Sequence, residues 1–272
     1  MTVEQRSMFK KSDNTYSIIV DIGNTDIVCA LFEADSIVFK CRLKTDLTMD
    51  ISTYHSLIIR KMADYDLSSV RHIGLGSVVP KMTSLLKEMF AIYFKAEVFE
   101  IDGLSELSLS YEIESRSASG ADLVANALAA FKIYQKNCIV VDMGTSTTIQ
   151  LVTQDAVYKG LIIAPGLKSA ADSLIQKAAR LEDIELKTPT KLLGQNTIES
   201  MLSGIVGGHI RMIESTVWKI CKEYHEISPF KVVVTGGLAA LIEPVMPHGY
   251  VYDPDHTLKG LHYALMELLE KR

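Results

Sequence analysis

The stretch from Ile18 to Leu31 reads IIVDIGNTDIVCAL and places an acid and a Gly-Asn-Thr turn between two apolar runs. Its first three residues are β-branched and too few for a helix, so they predict a buried strand that ends near Asp21. Gly23 and Asn24 suit a turn whose backbone N–H groups can bind an anion. The stretch therefore predicts a β-hairpin that holds nucleotide phosphates. Ordinary turn chemistry, the commoner role of an Asp and a Gly in a hairpin, remains the alternative.

A second stretch, IVVDMGTSTTIQLV at residues 139–152, repeats this design. Asp142 and Gly144 follow Asp21 and Gly23 at the same offset along the chain, which predicts two related lobes that face each other across a cleft. A third stretch, VVVTGGLAAL at residues 232–241, predicts a buried strand that breaks at two glycines into a helical run, where the backbone can lie against an adenosine.

Two phosphate turns followed by an adenosine turn resemble the superfamily of actin, sugar kinases and heat-shock chaperone ATPases. This resemblance implies an α/β fold with two ribonuclease-H-like (actin-like ATPase) domains and a nucleotide cleft between them. A chain of 272 residues is long enough for two such domains. We expect an N-terminal extension at residues 1–17, a first domain at 18–136, and a second domain at 137–272 that ends in a helix.

Composition excludes several other classes of protein. Apolar residues make up 48% of the chain and charged residues 22%, as in ordinary globular proteins, and the net charge of −5 provides no basic surface for nucleic acid. The four cysteines show no metal-binding spacing, which predicts buried free thiols. No apolar run approaches the ~20 residues of a membrane span, and residues 1–17 lack a signal-peptide core. We therefore expect a cytoplasmic protein that binds neither nucleic acid nor membrane.

Seven motifs, in their order along the chain, resemble those of the type III pantothenate kinase family. They are DIGNT at 21–25, GAD at 120–122, DMGTSTT at 142–148, IAPG at 163–166, GQNTIESMLSG at 194–204, TGGLAALI at 235–242 and DPDHTLKGL at 253–261. The resemblance implies ATP-dependent phosphorylation of pantothenate to 4'-phosphopantothenate, the first step of coenzyme A biosynthesis. It also implies Mg²⁺, a monovalent cation (K⁺ or NH₄⁺) and a homodimer whose active site is shared between subunits.

The same resemblance assigns roles to individual residues. Asp122 is the implied general base, and Asp142 the implied ligand of the monovalent cation. The implied ATP-binding positions are Asp21, Ile22, Gly23, Asn24, Thr25, Asp26, Ile27, Val28 and Thr145. The implied pantothenate-binding positions are Tyr111, Gly120, Ala121, Asp122, Leu123 and Thr197, the last reaching the neighbouring subunit's site.

The chemistry of phosphoryl transfer supports a carboxylate at Asp122, because the attacking hydroxyl needs a proton acceptor nearby. Asp before an apolar helical run is also a common helix N-cap, and Thr197 is open to the same interpretation at its own helix. The helix predicted to begin at Thr197 contains three glycines, at 204, 207 and 208. They lower the stability of the helix but permit another helix to pack closely against it, which suggests a helix crossing or a subunit interface.

The chain departs from the family pattern where the substrate is handled. Leu123 stands where the family usually has arginine, Glu112 to Glu114 replace the usual Asp-Asn-Pro, and Leu161 replaces a glycine. Arg116, four residues before the GAD motif, is a candidate replacement for the missing arginine or an ordinary exposed loop residue. One alternative function is a non-catalytic or weakly active paralogue that acts as a regulatory factor (BvgS-accessory-factor-like). An actin-like filament or chaperone ATPase is disfavoured by the short chain.

Overall fold

The computed structural model describes residues 16–177, 181 and 183–272, which form two compact units divided between Glu100 and Ile101. The predicted extension at residues 1–17 lies outside the described residues, except for Tyr16 and Ser17, which already belong to the first strand. The strands are β1 (Tyr16–Ile22), β2 (Asp26–Glu33), β3 (Ser36–Lys44), β4 (His72–Ser77), β5 (Glu97–Ile101), β6 (Ser110–Tyr111), β7 (Asn137–Met143), β8 (Ser146–Val152), β9 (Val157–Pro165), β10 (Phe230–Thr235) and β11 (Val251–Tyr252). The α-helices are α1 (Ile51–Lys61), α2 (Pro80–Tyr93), α3 (Ala121–Tyr134), α4 (Leu167–Lys177), α5 (Thr197–Leu202), α6 (Gly208–Glu223) and α7 (His256–Glu270).

The first unit is a five-stranded sheet in the order β3-β2-β1-β4-β5. β2 runs antiparallel to β1 and β3, whereas β4 runs parallel to β1. Helix α2 begins at Pro80, a favourable residue there because proline at the first helical position loses no hydrogen bond. Apolar side chains of α1 and α2, among them Ile58 and Leu86, share one buried cluster with those of the sheet.

The second unit repeats this strand order. Its sheet runs β11-β10-β7-β8-β9-β6, in which β9-β8-β7-β10-β11 has the arrangement of the first sheet and β6 is an added edge strand parallel to β9. β7 pairs antiparallel with β8 and parallel with β10, as β1 does with β2 and β4. The repeat of a meander followed by parallel strands is the ribonuclease-H-like topology. The predicted fold class is therefore confirmed.

Helices α3 and α7 pack closely against each other within the second unit. A Cβ atom at Gly260 would lie 1.9 Å from the carbonyl oxygen of Ala125, so only glycine permits this approach. Residues 101–136, including α3, belong to the second compact unit. The domain boundary expected from the sequence, between residues 136 and 137, stays a prediction.

Two local expectations differ from the structure. The predicted continuous helix through the three glycines is interrupted between α5 and α6 by one π-helical turn, Ser203–Gly207, where glycine offers little resistance to altered hydrogen bonding. The helical run predicted after Gly236 is only a 3₁₀ turn at Ala239–Leu241. Among the described residues, no helix combines the length and the apolar composition that a membrane span requires.

Candidate active site

The predicted phosphate hairpin of the first unit is formed by β1 and β2. The N–H of Gly23 donates to the carbonyl of Asp26 at 3.0 Å and closes the turn, while Asn24 and Thr25 lie exposed at its tip. Ile22 and Ile27 are fully buried, so these two implied ATP-binding positions anchor the hairpin in the core. The backbone at the exposed tip of the turn, between Ile22 and Ile27, is therefore the part of the hairpin that can contact an anion.

Asp26 fixes the hairpin to the neighbouring strand. Its carboxylate accepts from Arg42 Nη1 at 3.0 Å and from Lys44 Nζ at 2.8 Å, both on β3. Partial burial alone would raise the pKa of Asp26, but the hydrogen bonds and charges of these two partners bring the pKa below its ordinary value. Asp26 therefore stays ionised and acts as a clamp on the hairpin.

The second predicted phosphate hairpin, between β7 and β8, belongs to the other unit. Gly144 N–H donates to the carbonyl of Ser146 at 3.0 Å, and Thr145 is exposed at the tip. A Cβ atom at Gly166 would lie 2.4 Å from the carbonyl oxygen of Thr145, so the IAPG motif packs directly against this turn. The predicted adenosine turn also reaches it, because Leu238 N–H donates to the carbonyl of Met143 at 3.1 Å.

Asp142, at the end of β7, lies at the centre of these contacts. Gly236 adopts a φ of +98°, and a Cβ atom there would lie 2.5 Å from Asp142 Oδ1. The other carboxylate oxygen accepts from Asn126 Nδ2 at 2.8 Å. Burial raises the pKa of Asp142 to about 6; the bond from Asn126 opposes this rise and the nearby charge of Asp122 adds to it. Such a desolvated carboxylate is a ready partner for a cation.

A buried polar network holds Asn126 in place. Thr257 Oγ1 donates to Asn126 Oδ1 at 2.9 Å, and His256 Nε2 lies 3.1 Å from the Asn126 carbonyl oxygen. His256 and Lys259 in turn contact the carboxylate of Asp253 at 3.3 and 2.7 Å. Burial would raise the pKa of Asp253, yet the bonds from these two residues bring it to about 2. The DPDHTLKGL motif thus orients Asn126, and through it Asp142.

Asp122 lies in the first turn of α3, whose N-cap is Gly120. Its Oδ1 accepts from the N–H of Leu123 at 2.9 Å, so it satisfies one N–H of the helix without being the cap residue. Burial raises the pKa of Asp122, and the backbone hydrogen bonds oppose that rise only in part. A carboxylate with a raised pKa has a property expected of a general base.

Polar atoms without protein partners lie on residues near Asp122. Among the described residues, the buried hydroxyls of Tyr111 and Tyr158 and the Oε1 atom of Gln150 have no hydrogen-bond partner. The two tyrosine rings lie 5.9 Å apart, Asp122 contributes to the raised pKa of Tyr158, and Gln150 Nε2 donates to the Leu123 carbonyl at 3.3 Å. Unpaired buried polar atoms are costly, which favours a polar ligand as their partner.

Arg116 lies beside this group. Its guanidinium carbon is 5.0 Å from the centroid of the Tyr111 ring, and Nε and Nη2 donate to the carbonyls of Gly103 and Ser105 at 2.7 and 2.6 Å. The residue is half-buried, not an exposed loop arginine. Its guanidinium group therefore lies next to Tyr111, one of the implied pantothenate-binding positions.

Thr197 lies elsewhere in the second unit, at the start of α5. Its helix is capped by Asn196, whose side chain accepts from Glu199 N–H at 2.9 Å, so Thr197 itself is not the cap. Thr197, Gly204 and other residues line a groove of about 690 Å³ whose lining does not include Asp122. Within the described residues, no group of three or more His, Cys, Asp and Glu side chains is arranged for a metal ion.

Sequence reasoning named the hairpins, Asp122 and Asp142 as site candidates but did not name Asn126, Gln150 or Tyr158. The available signal was polarity at buried positions, since Asn126 interrupts an apolar helix and Gln150 an apolar strand. A buried amide needs a partner, and at both positions the local sequence supplies none.

The type III pantothenate kinase family model matches residues 17–219. A type III pantothenate kinase of Thermomicrobium roseum is 35% identical over 249 residues, which cover 91% of this chain and 95% of the relative. Among solved structures, a Campylobacter jejuni protein described as a Baf family transcriptional activator aligns with a TM-score of 0.60 at 17% identity, covering 93% of this chain and 99% of the other. An ROK hexokinase of Thermus thermophilus aligns with a TM-score of 0.50 at 13% identity, covering 94% and 100%. At these identities the two structures support the fold alone, whereas the family model and the T. roseum relative show that the chain belongs to the type III pantothenate kinase family.

Proposed function

We propose that this protein is a cytoplasmic kinase that transfers the γ-phosphoryl group of ATP to the hydroxyl of pantothenate, giving 4'-phosphopantothenate for coenzyme A biosynthesis. Family membership supports the reaction and the substrate. The structural observation that carries the proposal is the partly buried Asp122 carboxylate, with its raised pKa, beside the unpartnered polar atoms of Tyr111, Tyr158 and Gln150. The alternative of a non-catalytic regulatory factor is not favoured by the relatives that carry the kinase name.

Each part of the site has a task in phosphoryl transfer. Backbone N–H groups at the exposed tips of the two hairpins, at Asn24–Thr25 and at Thr145, would bind phosphate oxygens, and Thr145 would add its hydroxyl. The carboxylate of Asp122 accepts the proton of the pantothenate hydroxyl as it attacks. The divalent metal that accompanies ATP, Mg²⁺ in this proposal, neutralises charge on the phosphates. The hydroxyls of Tyr111 and Tyr158, which have no partner within the described residues, would bond polar atoms of pantothenate and so orient it.

Asp142 is the residue best suited to hold the monovalent cation. Its carboxylate oxygens are hard donors, and burial raises its pKa to about 6 although Asn126 and His256 act in the opposite direction, so a further positive charge would stabilise the ionised group. A K⁺ or NH₄⁺ ion would supply that charge. Asn126 fixes one carboxylate oxygen and leaves the charge of the group available to such an ion.

A direct assay tests the proposal. Purified protein with Mg²⁺ and ATP should convert pantothenate to its phosphate ester, detected by mass spectrometry, and the rate should rise when Na⁺ is replaced by K⁺ or NH₄⁺. Nucleotide binding without turnover in every cation would instead indicate a regulatory paralogue.

Arg116→Ala should raise the Michaelis constant for pantothenate about ten-fold, equivalent to ~1.4 kcal/mol, and leave the constant for ATP nearly unchanged. The reason is that pantothenate is an anion, and Leu123 offers its carboxylate no charged partner. Arg71→Ala is a matched control, because Arg71 likewise donates to backbone carbonyls, those of Ser68 and Val70. An unchanged pantothenate constant in Arg116→Ala would leave Arg116 with a purely structural role.

We further propose that the protein is a homodimer in which Thr197 reaches the neighbouring subunit's active site. Gly204→Leu should then dissociate the dimer and abolish activity together, as measured by light scattering and turnover. A Cβ atom at Gly204 meets no atom within 4 Å, so the new side chain leaves the backbone without a clash inside its own subunit. Lys219→Leu places the same side chain on the exposed face of α6 and should have neither effect. Full activity in a monomeric Gly204→Leu protein would refute a shared site.

A further inference from the structure

Cys29 on β2 and Cys41 on β3 are direct partners across an antiparallel pair of strands. Partners in such a pair point to the same face of the sheet, here the buried face beneath α1 and α2. Cys29 is fully buried and Cys41 is 8% exposed. Because β3 is the edge strand of its sheet, Cys41 is the member of the pair closer to solvent.

The strand geometry nearly suits a disulfide. Directly opposed residues in antiparallel strands have Cα atoms about 4.5–5.5 Å apart, within the range of roughly 4.4–6.8 Å that disulfides span. Their Cβ atoms, at about 4.5–5.5 Å, are slightly farther apart than the roughly 3.5–4.5 Å of a relaxed bridge. A small shift of the edge strand therefore permits the bond. The resulting strain makes the bond easy to reduce.

The two thiols differ in character. The neighbouring Cys29 side chain lowers the pKa of Cys41 although burial opposes this, whereas the pKa of the fully buried Cys29 is raised by Cys41 and by its burial. Lys61 at the end of α1 lowers the pKa of Cys41 further. Cys41 is thus the nucleophile of the pair, and Cys29 lies in place to resolve an oxidised Cys41.

We propose that Cys29 and Cys41 form a reversible dithiol–disulfide site whose oxidant is hydrogen peroxide, a molecule small enough for a site with so little exposure. The Cys41 thiolate attacks one peroxide oxygen, the O–O bond breaks, and the departing hydroxide takes up a proton to become water. The Cys29 sulfur then attacks the sulfur of the Cys41 sulfenic acid, the S–O bond breaks, and a second water leaves with the Cys29 proton. Two thiols and one peroxide give one disulfide and two waters, and a dithiol reductant reverses the oxidation.

The other two cysteines serve as internal controls. Cys138 is fully buried beside the Ala130 carbonyl, and burial raises its pKa to about 12. Burial also raises the pKa of Cys221. Neither has the lowered pKa of Cys41, so both should react more slowly.

Peroxide treatment followed by alkylation and peptide mapping tests the site. The wild-type protein should lose two of its four alkylatable thiols, yield a Cys29–Cys41 cross-linked peptide, and recover both thiols with dithiothreitol. The Cys138→Ala/Cys221→Ala protein should behave identically. In Cys29→Ala, dimedone should trap a sulfenic acid at Cys41.

Two results would overturn the proposal, and both can be read from the wild-type protein should Cys29→Ala fail to fold. One is that Cys41 remains alkylatable after Cys138 or Cys221 has reacted. The other is that Cys41 proceeds to sulfinic acid without any cross-link to Cys29.

Discussion

Asp122→Asn is expected to lower kcat for pantothenate phosphorylation by about 10²-fold or more while nucleotide affinity stays nearly unchanged. The amide is close in size to the carboxylate, and its oxygen can still accept from the N–H of Leu123, so the start of α3 is preserved. What is lost is the proton acceptor. In the wild-type protein, kcat should also fall as the pH is lowered through the raised pKa of Asp122, because the protonated acid accepts no proton.

A capping carboxylate provides the control for this variant. Asp50 caps α1 and accepts from Thr53 N–H at 2.8 Å, so Asp50→Asn neutralises a carboxylate at a helix N-terminus far along the chain from the GAD motif. The kcat of Asp50→Asn should equal that of the wild-type protein. Near-normal turnover in Asp122→Asn would show that Asp122 serves only the helix.

Asp142→Asn should abolish activation by K⁺ or NH₄⁺ and, at the same time, raise the free energy of unfolding by roughly 1–3 kcal/mol at pH 7.5 in buffers free of these cations. The folded-state pKa of about 6 lies above the ordinary value of 3.8. At pH values between 3.8 and about 6, the Asp142 carboxyl keeps its proton in the folded protein but has released it in the unfolded chain. The free energy of unfolding of the wild type therefore falls as the pH rises through this range. Asparagine removes the cost of the buried charge and can still accept from Asn126.

Urea unfolding at several pH values measures this effect. The difference between Asp142→Asn and the wild type should shrink as the pH falls toward 4, where the wild-type carboxyl is neutral in the folded protein. Added K⁺ should stabilise the wild type and not the variant, since a ligand stabilises only the form that binds it. A variant that is less stable at pH 7.5, or that still responds to K⁺, would contradict the assignment of Asp142.

The elements that the sequence predicted well are those defined by local patterns. Both hairpins and the strand before Gly236 follow from apolar runs and glycines close together in the chain. The contacts that orient Asp142 do not follow from such patterns, because Asn126 and Thr257 are 131 residues apart in sequence. Tyr158 was missed for a similar reason, since only the folded chain shows that its buried hydroxyl has no hydrogen-bond partner.

The close contact of α3 and α7 constrains where this chain can be divided. A fragment that begins at Asn137 would keep α7 but lose α3, leaving the buried face around Leu261 and Leu265 uncovered in water. A fragment that begins at Ile101 keeps both helices and the ion pair of Lys132 with Glu267. Because the Ala125 backbone occupies the space that a side chain at position 260 would need, a helix grafted from another protein could replace α7 only if it carried glycine at that point. Recombination among relatives would therefore have to exchange α3 and α7 as a pair.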